Sequence, residues 1–355
     1  MRAVKTVIVL LVICAGIYYF LGSGFSKEEK AAWKEERLHT KETEMKEKET
    51  PEKLTSADVD VEESMFNWVG REARELEEKL GDPERIDQSS YGYEWWVFTD
   101  YENEYFQFGV MDGEIVTLFA TGNEVEYEPL EIGQDYEQVQ AEFDFGQEVT
   151  LSKGVTSYRF RLTEEQLKSE PLVKVDDDLF LQLYFDTFTN SLSSFRLMNA
   201  DILLVQRPYE IFYRGKLPEA PVLTDGEWTK VQSGMEQQIF DITNIYRHRF
   251  AKGKLDWDDP VADVAFGHSK DMDQNNYFSH YTQDGKGLKE RLAASDISYY
   301  TAGENIAAQY TDGPAAVEGW LNSEGHREAL LKEEYTHLGV GVHKYYYTQN
   351  FLQKP

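Results

Sequence analysis

Four residues in the C-terminal third of this 355-residue chain are of the types that acid–base or metal chemistry uses. They are His268 in "HSKDM", His280 in "YFSH", Glu304 in "GENIA" and His326 in "SEGHREALL". Two neutral imidazoles and a carboxylate are ligands that a divalent ion such as zinc accepts, with a fourth position open to water. A water bound there could become a nucleophile near neutral pH, with Glu304 orienting or deprotonating it. Without a metal, the same side chains could form a buried hydrogen-bonded network that holds a cleft together. Four of the seven histidines (His268, His280, His326 and His337) fall in one segment, so the chemistry, if there is any, belongs to the C-terminal third. No H-E-x-x-H, G-x-S-x-G or P-loop pattern is present, and Ser279, Ser295 and Ser323 lack the context of a catalytic triad.

These residues need elements to hold them. From about Ser233 the pattern turns helical: "MEQQIFDITNIYRHRFAKG" puts Ile239, Ile242, Tyr246 and Phe250 on one face and stops at Gly253. Asn244 and Arg247 on that helix read as ties to a neighbouring loop. A second helix begins at Pro260, a favoured first-turn residue, and aligns Val261, Ala265, His268 and Met272 along one stripe. "KGLKERLAAS" is a short third helix. "AAVEGWLNSEGHREALL" is a fourth, expected to break near Gly325, with Trp320 in the core. "HLGVGVH" and "KYYYTQNFL" read as a closing pair of strands, with Gln349 lining the cleft beside the last one.

The ordered segments "NIYR", "HSKDM", "YFSH", "GENIA", "WLNSEGHREALL", "HLGVGV" and "YYTQNF" resemble the CAP superfamily of cysteine-rich secretory, antigen 5 and pathogenesis-related proteins. The bacterial branch, which does without disulfides, is the more similar. The resemblance covers roughly residues 233–352. It implies an α-β-α sandwich with a central cleft that gathers two histidines and two acidic residues, where some members bind a divalent metal such as zinc. Carried over, His280 is the first histidine, Glu304 the first acid and His326 the second histidine. The position of the second acid, three residues after the tryptophan, is Ser323 here, with Glu324 beside it. His268 is typical of bacterial members and supports the helix packing or the cleft rim.

Upstream, residues 65–204 read as a helix, a glycine stop and about three strands, used twice. In the first unit Val69, Ala73, Leu76 and Leu80 stripe a helix that stops at Gly81. Strands follow at 93–99, 104–110 and 114–120, with "MDGE" as a hairpin turn. The second runs from "IGQDYEQVQAEFDFGQ" into "TSYRFRLT", "LFLQLYFDT" and "LSSFRLMN". Adjacent Trp95 and Trp96 must face opposite sides of a strand, one in the core and the other free for contact. This half resembles the domain that accompanies CAP domains in membrane-anchored Gram-positive proteins. Before it, "VKTVIVLLVICAGIYYFLG" follows Arg2 and reads as a membrane helix with an inside N-terminus, roughly 26 Å over Thr6–Gly22.

The expected fold class is therefore α+β: a CAP sandwich, a duplicated helix-plus-three-strand α+β domain before it, and an N-terminal transmembrane helix. The expected limits are 1–25 for the anchor or signal segment, 26–63 for a charged linker, 64–206 for the associated domain, 207–232 for a second linker and 233–355 for the CAP domain. A formal charge of −29, from 65 acidic and 36 basic side chains, argues against a nucleic-acid partner. The single cysteine, Cys14, excludes an intrachain disulfide. The expected role is an extracytoplasmic ligand- or partner-binding module of the cell envelope, whose cleft binds zinc or another divalent ion or none. The alternative is a metal-assisted hydrolase of envelope peptide or polysaccharide.

Overall fold

The computed structural model describes residues 65–123, 126–127 and 129–354; the expected anchor and charged linker lie outside them. Among the described residues no helix is long and apolar enough to cross a membrane.

The first half is built on an antiparallel sheet. Helix α1 (Arg74–Leu80) leads into β1 (Arg85–Gln88), β2 (Glu94–Thr99), β3 (Glu104–Met111) and β4 (Glu114–Gly122). The expected hairpin at "MDGE" is there, with Asp112 and Gly113 both at positive φ, as a tight two-residue turn demands. After the short pair β5 (Glu126–Tyr127) and β6 (Leu130–Glu131), the second unit supplies α2 (Tyr136–Glu142), β7 (Glu148–Lys153), β8 (Thr156–Arg161), α3 (Glu164–Ser169), β9 (Leu172–Lys174), β10 (Leu179–Asp186) and β11 (Ser191–Asn199). The two units meet where β4 pairs with β11, giving the order β1-β2-β3-β4-β11-β10-β9. The duplication is not symmetric throughout. β7 and β8 leave the main sheet and form a separate one, in which β8 lies between β7 and β12 (Glu210–Arg214), the strand that follows helix α4 (Ala200–Gln206).

Period-2 alternation gives this sheet two apolar faces. Trp96, Phe98 and Phe108 point towards α1 and α2, whereas Trp95, Val97, Tyr105 and Phe119 point the other way. Trp95 is buried and Trp96 half-buried, so both indoles pack and neither stands free as a contact surface.

The second half begins inside the expected 207–232 linker. That stretch contributes β12 and the start of α5 (Asp225–Arg249), opened by a capping box between Thr224 and Glu227. The helix starts eight residues before the apolar period becomes legible, because its first two turns are largely exposed. Then come β13 (Asp256–Trp257), α6 (Asp259–Asn275), α7 (Leu288–Ala294), β14 (Thr301–Ala308), α8 (Gly313–Leu321), α9 (Glu324–Leu330), β15 (His337–His343) and β16 (Tyr346–Gln353). The expected break near Gly325 falls at Asn322–Ser323, where Ser323 turns extended; Gly325 sits in the first turn of α9.

The four-stranded sheet has the order β13-β15-β16-β14, with α5 on one face and α6 on the other. In "HLGVGV" the alternation does two jobs. Leu338, Val340 and Val342 pack with Ile242 and Tyr246 of α5. Gly339 and Gly341 face α6 so closely that an added Cβ would lie 2.2 Å from the Ala262 nitrogen and 1.8 Å from the Phe266 nitrogen. Only glycine lets the helix lie on the strand there.

Helix α5 also packs against the seven-stranded sheet, so Val97, Tyr105, Phe119 and Tyr184 share one core with Ile239, Ile242 and Trp320. Buried polar pairs cross the same boundary. Arg85 meets Asp241 at 3.0 Å, Arg196 meets Asp312 at 2.8 Å and Arg327 meets Asp186 at 2.8 Å. Glu318 on α8 accepts from Ser193 at 2.8 Å and also from Ser194 and Tyr246.

Candidate functional site

β14 is the edge strand that carries Glu304. It pairs in register with β16, Glu304 opposite Asn350 and Asn305 opposite Gln349. Directly opposed residues share a face, so Glu304 and Asn350 look towards α6, and Asn305 and Gln349 look towards α5. Gln349 therefore does not line the cleft. It is fully buried on the far face, donating to Thr243 Oγ1 at 2.7 Å and accepting from Asn305 at 3.2 Å.

The Glu304 side chain is only 4 % exposed, and both its oxygens are engaged. His280, reached by the chain just after α6, places Nδ1 2.9 Å from Oε1. Arg291 of α7 donates to Oε2, to which the Asn350 amide nitrogen adds a bond at 3.2 Å. Arg291 also donates to the His280 carbonyl at 3.1 Å and to His268 Nδ1 at 3.0 Å. A guanidinium can only donate, so His268 Nδ1 must accept and its proton sits on Nε2, which points at the Ser279 carbonyl 3.0 Å away. Burial pushes His268 down to about 4, against the attraction of Glu304 and with the repulsion of Arg291. The result is a chain of contacts, His268–Arg291–Glu304–His280, that ends in a solvent-facing imidazole whose side chain is 45 % exposed.

His326 comes from the first turns of α9. Its Nδ1 lies 2.9 Å from Ser323 Oγ, and its backbone carbonyl accepts from Asn305 at 3.0 Å, which ties α9 to β14. Burial, then repulsion from His280, pushes His326 down to about 4. Glu324 is turned away, exposed, and lines a separate surface depression with Phe188 and Arg327. It heads the first turn of α9, and the extended backbone at Ser323 points that turn outwards.

Asn244 and Arg247 tie α5 to the loop that follows it. Asn244 exchanges two hydrogen bonds with the Leu255 backbone, and Arg247 donates to the carbonyls of Gly253, Leu330 and Lys332. Trp320 is buried and donates to the Ile306 carbonyl at 3.0 Å.

Two participants escape the sequence reading, Arg291 and Asn350. The signal for Arg291 was present: it lies three residues after Leu288 and one before Leu292, on the buried stripe of its short helix. An arginine on an apolar stripe asks for a buried acid.

Residues 240–354 match the description "Cysteine-rich secretory protein family", CAP, and residues 69–209 match "CAP-associated N-terminal". The chain is 43% identical over 350 residues to the uncharacterized membrane protein YlbC of Bacillus subtilis (strain 168), covering 99% of this chain and 98% of the relative. It belongs to the CAP family. Among solved structures it is similar to an extracellular protein containing an SCP domain from Bacillus anthracis str. Ames, at 43% identity and a TM-score of 0.78, over 88% of this chain and 100% of that one. A cysteine-rich secretory protein from Staphylococcus aureus subsp. aureus Mu50 matches at 27% identity and a TM-score of 0.71, over 82% of this chain and 96% of that one.

In this CAP domain the side chains around Glu304 are already engaged with one another. Among the described residues no group of three or more His, Cys, Asp or Glu side chains could hold a metal ion. Ser323 replaces an acid with a hydroxyl, and the Arg291 guanidinium already neutralises Glu304. What the site offers is a half-exposed imidazole held in orientation by a buried carboxylate.

Proposed function

We propose that this protein is an extracytoplasmic binding module of the cell envelope, held at the membrane by its N-terminal apolar segment. In this reading the His280–Glu304 cleft takes a ligand or partner group and does not turn over a substrate. The observation that carries the reading is the saturation of Glu304. A carboxylate with hydrogen bonds on both oxygens and a guanidinium against it is poorly placed to take a proton from water or to ligate a cation. The YlbC relative, named a membrane protein, and the B. anthracis relative, named an extracellular protein, agree with the location.

The test is a zinc titration by calorimetry on the full-length chain beside a His280→Ala, His326→Ala double variant. Hydrolysis of casein and of purified envelope is followed with and without chelator. The proposal expects no saturable zinc heat that depends on the two histidines, and no chelator-sensitive hydrolysis. One-site binding that the double variant loses would refute it.

The second reading is hydrolysis, and one feature favours it: a buried carboxylate holding a half-exposed imidazole is an arrangement that general bases use. His280 would then be the base and Glu304 its positioning residue. Hydrolysis abolished by Glu304→Gln and insensitive to chelator would establish that reading over the first.

A further inference from the structure

A second site lies away from this cleft, where the two halves of the molecule meet. A cavity of about 650 Å³ opens between β10, the β1–β2 turn, the segment after β14 and the β15–β16 turn. Its size is within the range of small-molecule sites, and domain boundaries are where such sites form. Four tyrosines wall it, Tyr91, Tyr184, Tyr310 and Tyr345. Two of them are fixed by bonds across the boundary, Tyr91 to the Thr311 carbonyl at 3.0 Å and Tyr345 to Ser90 Oγ at 3.4 Å.

The polar groups of the cavity are mismatched with one another. Tyr209 spends its proton on the Glu170 carbonyl at 2.7 Å, so its oxygen accepts from Gln182 Nε2 at 2.9 Å. That fixes the amide of Gln182, a lining residue that is 1 % exposed, and leaves its Oε1 buried without a partner. The Glu170 carboxyl beside it receives one side-chain hydrogen bond, from Gln166 at 3.0 Å. Burial raises Glu170 to about 7, Glu165 and Glu318 add to that, and among the described residues no cation offsets them. The one arginine of the lining, Arg207, donates to the carbonyls of Leu204 and Pro218 and does not enter the set of groups acting on Glu170, and the remaining charged residue is another acid, Glu219. A carboxyl with no counter-ion, an acceptor with no donor and a ring of aromatic faces share one complement, a cation that carries N–H donors on an apolar stem.

We propose that this cavity binds the alkylammonium group of a small ligand, with Glu170 as its counter-ion and the tyrosine rings around the adjoining carbon chain. Two sources present that group, a lysine side chain and an amino alcohol. The experiment is calorimetry on the full-length chain in non-ionic detergent at physiological salt. The probes are Nα-acetyl-lysine amide and ethanolamine, each beside its uncharged counterpart, Nα-acetyl-norleucine amide and ethylene glycol.

One amine should bind with one-site saturation while its counterpart does not, and the amine that binds identifies the source. Glu170→Gln, which keeps the shape, should weaken that binding at least about tenfold. Ionisation of the carboxyl makes the site competent, so the wild-type affinity should rise about tenfold from pH 6 to pH 8. At pH 6.5, titrations in two buffers of different ionisation enthalpy should show protons released on binding, a readout that needs no variant. Equal binding of amine and counterpart, binding unchanged in Glu170→Gln, absence of proton release or no binding of either amine would each overturn the proposal.

Discussion

The neutral state of His268 makes a quantitative prediction. Protonation at Nδ1 would set an N–H against the Arg291 guanidinium inside a buried pocket, so the folded protein holds it off until about pH 4, whereas the ordinary value is 6.5. The folded value is depressed, so the unfolded chain binds the extra proton first. The stability tied to this group is present above pH 6.5 and is lost as pH falls from there towards 4. Between pH 7 and pH 5 the loss is about 2 kcal/mol, and below pH 4 it approaches about 3.4 kcal/mol. The whole-protein profile does not isolate this, because burial raises Glu170 and Glu236 to about 7 and Asp241 to about 6. Those acids hold protons in the folded state and push the other way over the same range. The difference between wild type and His268→Gln does isolate it. Urea unfolding followed by tryptophan fluorescence at pH 7 and pH 5 should show the variant's destabilisation shrinking by about 2 kcal/mol at the lower pH. The imidazole Cε1–H resonance of His268 should stay near its neutral position down to about pH 5 and move only as pH approaches 4. A destabilisation independent of pH, or a resonance that titrates near 6.5, would refute the arrangement of His268 and Arg291.

Other perturbations test neighbouring features. Asp312→Asn keeps the cap to the Ala315 amide but strands the buried Arg196 charge, and urea unfolding should register a loss of about 3–5 kcal/mol. Adding Arg196→Met should recover most of that loss. Gly341→Ala drives a methyl into the Phe266 backbone, and calorimetric melting should show a loss of about 3 kcal/mol or more, with α6 displaced. Ser323→Asp puts a carboxylate where His326 now meets a hydroxyl, so the His326 value, now about 4, should rise towards or past 6.5 in an NMR titration.

Much of the second half was legible because its signals are local. The stripe of Ile239, Ile242 and Tyr246 announced α5, and the alternation in "HLGVGVH" announced β15. The three strands of the first repeat lie within a residue or two of their expected limits. The opening turns of α5 were hidden because an exposed polar helix start has no apolar period, only the Thr224–Glu227 cap. β12 was hidden because its pairing with β8 is decided by tertiary contact across about fifty residues. In the site, Glu304 stood out as an acid among apolar neighbours, but the side chain that neutralises it lies thirteen residues away on another element. Spacing along the chain carries no record of that approach. Gln349 was assigned to the wrong face because the register of β16 against β14, one residue in either direction, decides which side chains face α6.

The polar pairs between the two halves also bear on how freely this CAP domain could be exchanged with another. An excised second half would expose the apolar flank of α5 together with Asp241 and Asp312, whose partners Arg85 and Arg196 stay behind on the sheet, and Glu318, which would lose Ser193 and Ser194 and keep Tyr246. A foreign sheet would have to present matching donors at all three places to be accepted. In this protein the two halves are best regarded as one folding unit, and a transplant of either would require rewriting the facing side of the other.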